Sequence, residues 1–321
     1  MQNTTNVPQV LNVFYTGLLI ERALAFRQFE KFADFSRDIP QKSGQVIRWR
    51  KYAALPTALT PLTEGVTPSG NSSVPTNIDA TVAEYGDYIK HTDVLEYTED
   101  DGVLQEDNKL LAEQVADTFD ILTANVLVGG TQVQRVNDRS TRGAVVAADY
   151  LVAATVDKAL RTLHHNKAKP IKAMMDGSPN YGSKQIAAAY IGIVHDYIEK
   201  DITSTTSFPG FVPVEEYANK GDVMEGEIGK YKDVRWIRSE NMPVFEGEGD
   251  SGIDVYPTLI LARNAYGLTK LSGKSMEVII KSLGYGEDPL NQRGSMGWKG
   301  FFVCKIIDEL NVMRLESSKQ A

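Results

Sequence analysis

Residues 54–80, ALPTALTPLTEGVTPSGNSSVPTNIDA, separate two runs that alternate like β-strands. The stretch carries Pro56, Pro61, Pro68 and Pro75 among many serines and threonines, with neither helical nor strand periodicity over most of its length. A connection this long with no structure of its own is uncommon inside a compact domain, where it serves as a lid, a binding arm or a linker. Its flanks narrow the choice. In GQVIRWRKYA (44–53) Ile47 and Trp49 share one face, and Arg48 and Arg50 share the other. In TVAEYGDYIKHTDVLEY (81–97) Ala83, Tyr85, Asp87 and Ile89 share a face. Pairing of these two runs would oppose Glu84 and Asp87 to the basic residues of the first. The expectation is a projecting two-stranded arm. A lone hairpin is marginal in water, so such an arm needs a surface to lie on.

The remaining chain supplies the body that carries this arm. It has 321 residues, 42% of them hydrophobic, enough for a sizeable core in one large domain or two ordinary ones. EDDGVLQEDNKLLAEQVADTFDILTANVLVGG holds the strongest helix, from about 103 to 128, with Leu104, Leu111, Val115, Leu122 and Val126 as its stripe and Gly129-Gly130 as its stop. GLLIERALAFRQFEKFADF (17–35) has a second helical apolar face, and AATVDKALRTLHHNKA predicts a shorter helix. YIGIVHDYIEKDI begins as a buried strand and turns helical. DVRWIRSENMPVF, VYPTLILARNAYGLTKL, MEVIIKSLG and GWKGFFVCKIIDELNVMRLE predict the remaining strands. No period repeats, and strands mix with helices without regular βαβ alternation, so the fold class is α+β.

Charge and cysteine content exclude some functions. The net charge is −8, from 34 basic and 42 acidic residues, which argues against tight nucleic-acid binding by bulk electrostatics. Cys304 is the only cysteine, so no disulfide closes within the chain. MQNTTNVPQV lacks the basic start of a secretion signal, and no apolar run approaches the ~20 residues of a membrane span.

The search for chemistry returns little. LTKLSGKS (268–275) ends in Gly-Lys-Ser, but a phosphate loop needs its first glycine at the place of Leu268, and a helix where MEVIIKSLG reads as strand. EGEGDSGID (246–254) clusters carboxylates, yet its glycine falls outside calcium-loop spacing, and a hairpin tip explains it. His91, His164, His165 and His195 form no zinc spacing, and Asp196 beside His195 gives adjacency without geometry. Cys304 lies in FFVCKII and reads as a core thiol. RWRKY (48–52) interleaves basic and aromatic residues as single-strand binders do, but it is one short run in an acidic chain. No catalytic residue, cofactor or metal is expected. A long arm, a long helix, a mixed core and a glycine-punctuated late loop suit a protein that contacts its own copies.

The late segment DPLNQRGSMGWKGFFVCKIIDELNVMRLE resembles the C-terminal signature of tailed-phage and prophage major capsid proteins of the Hong Kong 97 phage type. YTGLLIERALAFRQFEKFAD, SGQVIRWRKYAALPTALTPLTEGVTPSG, YIGIVHDYIEKDI and GEIGKYKDVRWIRSENMPVF match in order, so the resemblance covers most of the chain. It implies an N-terminal arm and helix over 1–39, an extended loop over 40–92 lying on a neighbouring subunit, a peripheral domain with a spine helix over 93–149, an axial domain over 150–275, and peripheral return strands over 276–321. It implies self-assembly through hexamers and pentamers into an icosahedral or prolate shell around double-stranded DNA, in the virion and, during assembly, in the host cytoplasm. Its implied partners are a portal protein, a separate scaffolding protein and a decoration protein, with weak contact to the packaged DNA and none to membrane. The same fold also serves encapsulin-like compartments that load cargo protein. The expected intersubunit residues are Arg48, Trp49, Arg50, Lys51, Pro61, Glu64 and Pro68 on the arm, and Asn291, Gln292 and Arg293 on the late loop. No Lys–Asn crosslinking pair is identified.

Overall fold

The computed structural model describes all residues except 1–27, 37–38, 41–43, Thr63, Pro68, 99–102, 176–182, 218–222, 271–275, 286–287 and Ala321. The strands in chain order are β1 (Phe35–Ser36), β2 (Val46–Tyr52), β3 (Pro75–Thr81), β4 (Ala83–Thr92), β5 (Val133–Arg135), β6 (Ile171–Met175), β7 (Ser183–His195) and β8 (Val212–Pro213). They continue with β9 (Glu227–Tyr231), β10 (Val234–Ser239), β11 (Tyr256–Leu261), β12 (Tyr266–Lys270), β13 (Met276–Lys281), β14 (Arg293–Ile306) and β15 (Val312–Ser317). The α-helices are α1 (Asp93–Thr98), α2 (Val103–Val128), α3 (Ala153–His165) and α4 (Glu199–Thr203).

The long helix α2 forms where the stripe predicts it, over 26 residues, or roughly 39 Å at 1.5 Å per residue. Gly129 and Gly130 end it, their N–H groups donating to Asn125 O and Leu127 O. Leu111, Val115, Phe119 and Leu127 are buried along one side, and Ala112, Ala116 and Ala124 between them let a sheet approach closely. That sheet is built on β14, which pairs antiparallel with β4 along one edge and with β13 and β12 along the other; β1 runs parallel to β12. The alternation of β4 matches expectation: Tyr85 and Ile89 pack into the core, and Asp87 accepts from Gln114 of α2 at 2.6 Å. Phe119 is the meeting point, with ring centroids 4.8 Å from Phe302, 5.7 Å from Trp298 and 6.5 Å from Tyr85.

A larger mixed sheet runs β5-β15-β11-β7-β10-β9-β8, with β6 also on β7. Ile191, Ile193, Ile237, Leu259 and Leu261 turn one face towards the α2 core. Val156, Ala159, Leu160 and Leu163 of α3 cover the other, with Trp236 buried beneath them. Gly192 makes room for that indole: a Cβ there would lie 2.4 Å from the Trp236 ring. The completely buried Glu316 carboxylate meets Arg135 at 2.7 Å, Arg142 at 2.8 Å and Arg314 at 3.1 Å. Arg314 also donates to the carbonyl of Val128, which ties the end of α2 to this sheet. A buried carboxylate is tolerated because both its oxygens accept from charged donors, Oε2 from Arg135 and Oε1 from Arg142.

Three observations differ from the sequence reading. First, β2 pairs antiparallel with β3, from within the expected loop, and not with the 81–97 run. The alternation of PTNIDAT explains it: Ile78 and Ala80 fall on the face of Trp49, while Asp79 falls opposite Arg48. Strand β4 takes its ladder partner from β14 instead, and Glu84 sits 3.7 Å from Lys299. Second, most of the 17–35 helix lies outside the described residues; the described part is a 3-10 turn, Phe29–Phe32, followed by extended β1. Third, sheet membership cuts across the expected ranges: β12, within 150–275, joins the smaller sheet, and β15, within 276–321, joins the larger one. Likewise β4, within 40–92, is part of the smaller sheet.

Candidate subunit interface

The arm is a two-stranded ribbon with unlike faces. Its inner face carries Ile47, Trp49 and Lys51. Trp49 is buried, clustered with Ala80 and Ile307 and flanked by Ile47, Ile78 and Val303. Lys51 pairs with Asp308 at 2.6 Å. These contacts fasten the ribbon base over the far end of β14. The outer face carries Val46, Arg48, Arg50 and Tyr52, all exposed. Arg48 holds Asp79 by a two-pronged hydrogen bond, Nε to Oδ1 at 2.6 Å and Nη2 to Oδ2 at 2.7 Å. Hydrogen bonding to the guanidinium keeps the Asp79 carboxyl below its ordinary range, although full solvent exposure leaves the pair little weight in stability. Arg50 has no ion pair among the described residues.

Beyond the ribbon the described residues from Ala53 to Val74 have no regular structure, and every one of them is exposed. Leu59 and Leu62 are 84% and 78% exposed, and Leu55, Val66 and Val74 are each at least 60% exposed. The tip turns at Glu64-Gly65, where Gly65 takes φ 77°, a left-handed conformation natural to glycine. Pro61 and Glu64 sit exposed near this tip; Pro68 lies outside the described residues. One charged side chain among so many open apolar ones is unlike an ordinary solvated loop. Clustered open apolar side chains of this kind are a general feature of surfaces that dock a partner.

The late loop joins β13 to β14. Asn291 adopts φ 55°, its N–H donating to Asp288 O at 3.2 Å. The Arg293 N–H donates to Asp288 Oδ2 at 2.7 Å, and Gln292 O accepts from Asp93 N at 3.2 Å. These bonds account for the turn within the chain. Asn291, Gln292 and Arg293 are exposed near Leu290 and Tyr285, themselves 73% and 66% exposed, and the Asn291 amide folds back over Gly284, where a Cβ would lie 1.8 Å from its Oδ1. The glycines of this segment permit close approach: a Cβ on Gly294 would lie 2.1 Å from His91 Nε2, and one on Gly297 would lie 2.5 Å from the Tyr88 Cβ. Trp298 anchors the strand by its Phe119 contact and by donating Nε1–H to Gln114 at 3.1 Å.

Those glycines shape a further feature. Around β4, β14 and β13 lies a groove of about 610 Å³, floored by Gly86 and Gly297 and lined by Glu84, Tyr88, Ile279, Lys281 and Lys299. Sequence reasoning missed this groove. The signal was present in the register, which sets Gly86 against Lys299 and Gly297 against both Tyr88 and Ile279. It also missed Asp79 and Asp308 as partners of Arg48 and Lys51, since pairing across a ladder is invisible until the ladder is known.

The other motifs resolve without chemistry. Met276–Lys281 follows the Gly-Lys-Ser run as a strand, so no helix N-terminus faces a phosphate there, and 271–275 lie outside the described residues. The 246–254 stretch is a hairpin tip closed by a Phe245–Val255 bridge. Within it Gly247 N–H donates to Asp254, while Glu248 pairs with Arg142. No cluster of three or more metal-ligating His, Cys, Asp or Glu occurs among the described residues. His195 Nδ1 accepts from Tyr197 N–H, burial depresses its imidazole, and the neighbouring Asp196 turns to Arg238 at 3.6 Å. Cys304 is buried and its thiol is pushed far up by burial, so it stays protonated. The RWRKY pattern is split between faces: Trp49 is turned inward, so the ribbon offers no row of open rings to stack bases.

No family model matches the chain, and no curated protein matches it. Solved structures do match. The capsid of Ralstonia phage GP4 superposes with a TM-score of 0.68 at 10% identity, covering 92% of this chain and 90% of that one. The capsid of cyanophage Pam1 gives 0.65 at 13%, covering 93% and 92%. The head structure of Helicobacter pylori bacteriophage KHP40 gives 0.65 at 13%, covering 92% and 91%. Superposition over nine-tenths of each chain shows that this protein has the Hong Kong 97 phage-type capsid fold.

Proposed function

We propose that this chain is a major capsid protein, a non-enzymatic coat subunit whose copies assemble as hexamers and pentamers into an icosahedral or prolate shell enclosing double-stranded viral DNA. The observation that carries the reading is the 53–74 loop, where Leu59 and Leu62 are the most exposed large apolar side chains among the described residues and Leu55, Val66 and Val74 lie open beside them. Docking those side chains on a neighbour removes them from water, and many copies doing so build interfaces of obligate size, ~2,000 Å² or more. Prolines in the loop reduce the entropy lost on docking. Arg50, Pro61, Glu64 and Pro68, with Asn291, Gln292 and Arg293, are the intersubunit residues of this reading, while Trp49, Lys51 and Arg48 brace the ribbon. The net charge of −8 suits a container whose contents must leave again, with weak contact to DNA. A portal protein, a separate scaffolding protein and a decoration protein are its partners, in the virion and in the host cytoplasm during assembly.

Negative-stain imaging of the protein, with mass by light scattering and with a scaffolding protein co-produced, tests this. Closed shells or capsomer-sized rings are expected. A monomer under both conditions would overturn it. Shells that enclose a cargo protein and no DNA would instead establish an encapsulin-like compartment.

A further inference from the structure

At the end of β7 the imidazole of His195 packs between two tyrosines. Its ring centroid lies 5.0 Å from that of Tyr197 and 5.3 Å from that of Tyr256, and the two phenols are 5.9 Å apart. Tyr256 of β11 is buried, whereas Tyr197 is 56% exposed and forms the outer wall of this cage. Lys319 reaches into it, with Nζ 4.6 Å from the Tyr197 centroid and 5.9 Å from that of Tyr256. Both distances fall within the range of cation–π attraction. Ser318, one residue earlier, is tied down separately: its N–H donates to Asp149 O at 2.9 Å and its hydroxyl to Ala147 O at 3.0 Å. Beyond Ser318 the chain is held by the Lys319 cage and by the Gln320 N–H, which donates to Asp201 Oδ1 of α4 at 3.3 Å.

His195 also orients the outer wall. Its Nδ1 accepts the Tyr197 N–H at 3.1 Å and so caps the turn Asp196–Ile198. An imidazole nitrogen can accept only in the neutral ring, because both nitrogens donate in the cation. Protonation therefore sets a donor against the Tyr197 N–H and removes the bond that holds Tyr197 in place. It also sets a second cation against the rings that already hold Lys319. Of the acids around this point, Asp196 on the same turn favours the imidazolium, but Arg238 of β10 engages it at 3.6 Å and pairs with Glu199 at 3.0 Å. Asp201 faces Gln320, with the Lys200 charge beside it. Burial, chiefly, and then Lys319 hold the imidazole below its ordinary 6.5.

We propose that His195 is a proton-operated catch for Lys319 and Gln320: when neutral it keeps Tyr197 over the Lys319 ammonium, and when protonated it releases both. The docked arrangement disfavours the imidazolium, so docking is complete at pH 7.5 and is lost as the pH falls below the ordinary imidazole range. The catch works within one chain and does not depend on the coat-protein reading.

Hydrogen exchange of the full chain, read amide by amide as protection factors at pH 7.5 and 5.0, tests the catch. Protection of the Tyr197 and Gln320 amides is expected to drop about tenfold at pH 5.0, as the loss of one hydrogen bond implies, while the Ser318 amide keeps its protection. His195→Asn places a neutral acceptor where Nδ1 stands and is expected to retain at pH 5.0 the protection seen at pH 7.5. The Asp201 carboxyl, pushed up to about 6 chiefly by burial, titrates in the same interval. A drop that survives in His195→Asn would therefore assign the effect to Asp201 or another acid and overturn the catch. Equal protection at the two pH values in the unaltered protein would overturn it as well. Lys319→Met gives a second readout that leaves the turn intact: with the cation gone, the His195 midpoint in a proton NMR titration is expected to rise by about 0.5 pH unit. An unmoved midpoint would take Lys319 out of the cage and contradict the proposal.

Discussion

In the body, Phe119 is 2% exposed and touches the rings of Tyr85, Trp298 and Phe302. In the loop, Leu59 and Leu62 are 84% and 78% exposed. Arginines divide the same way. Arg135, Arg142 and Arg314 converge on the buried Glu316, whereas Arg50 stands on the ribbon's outer face with no ion pair among the described residues. The centre of the body is closed within one chain, whereas the loop's large apolar side chains and Arg50 are open. In the coat-protein reading, the open apolar side chains of the loop find their contacts on another copy.

This contrast can be broken by substitution. Phe119→Ala removes the ring at the centre of the α2–sheet contact and is expected to lower unfolding stability by about 3–5 kcal/mol, read by urea denaturation. A loss under about 1 kcal/mol would mean that the body is not held where the packing places it.

Next in size is a pH effect on the join between α2 and the Phe29–Phe32 turn. Asp120 is fully buried and accepts the Phe29 N–H at 2.9 Å, with the Asn241 amide 3.5 Å away. Tyr266 on β12 donates to Phe29 O from the other side, and the carboxylate of the nearby Glu30 adds a like charge. Burial, chiefly, pushes the Asp120 carboxyl up to about 7 from an ordinary 3.8. The folded state therefore holds a proton that the unfolded chain releases, so stability is greater at pH 5 than at pH 8 and falls as the pH rises towards 7. Asp120→Asn keeps the oxygen that accepts from Phe29 and removes the charge. It is expected to raise stability at pH 8 by about 2–4 kcal/mol and to flatten the slope between pH 5 and 8. Asp201, pushed up to about 6, retains a smaller slope of the same sign. An unchanged slope in the variant would remove Asp120 from the account.

The smallest effect lies in the loop. Leu59→Ala in the isolated chain is expected to change unfolding stability by less than about 0.5 kcal/mol, because no packing is lost. A cost like that of a core leucine would show that the loop folds back on its own body.

Much of this was legible in sequence because the signals were local. The stripe on α2 and its Gly-Gly stop fix a helix without knowledge of its surroundings, and the alternation in VIRWRKY fixes which side of β2 turns inward. Partner choice was not legible. The PTNIDAT run looked like loop because proline and asparagine weaken strand propensity, yet cross-ladder contacts of Ile78 and Ala80 with Trp49's face outweigh that. The crossing of β15 into the larger sheet depends on pairing with β11, 51 residues earlier at its start by the register Tyr256↔Ser317 to Leu261↔Val312 (312 minus 261), and no local pattern announces it. The groove exists only after three strands are in register, so its residues look unrelated along the chain.

The central claim is that the loop serves assembly and not folding. Its most direct test replaces residues 54–73 with a short glycine-containing turn, leaving the β2–β3 ladder intact, and compares the variant with the unaltered protein by electron microscopy and thermal unfolding. The account expects an unfolding midpoint within a few degrees of the original and no closed shells. Normal shells from the shortened chain, or a body that no longer folds, would contradict it.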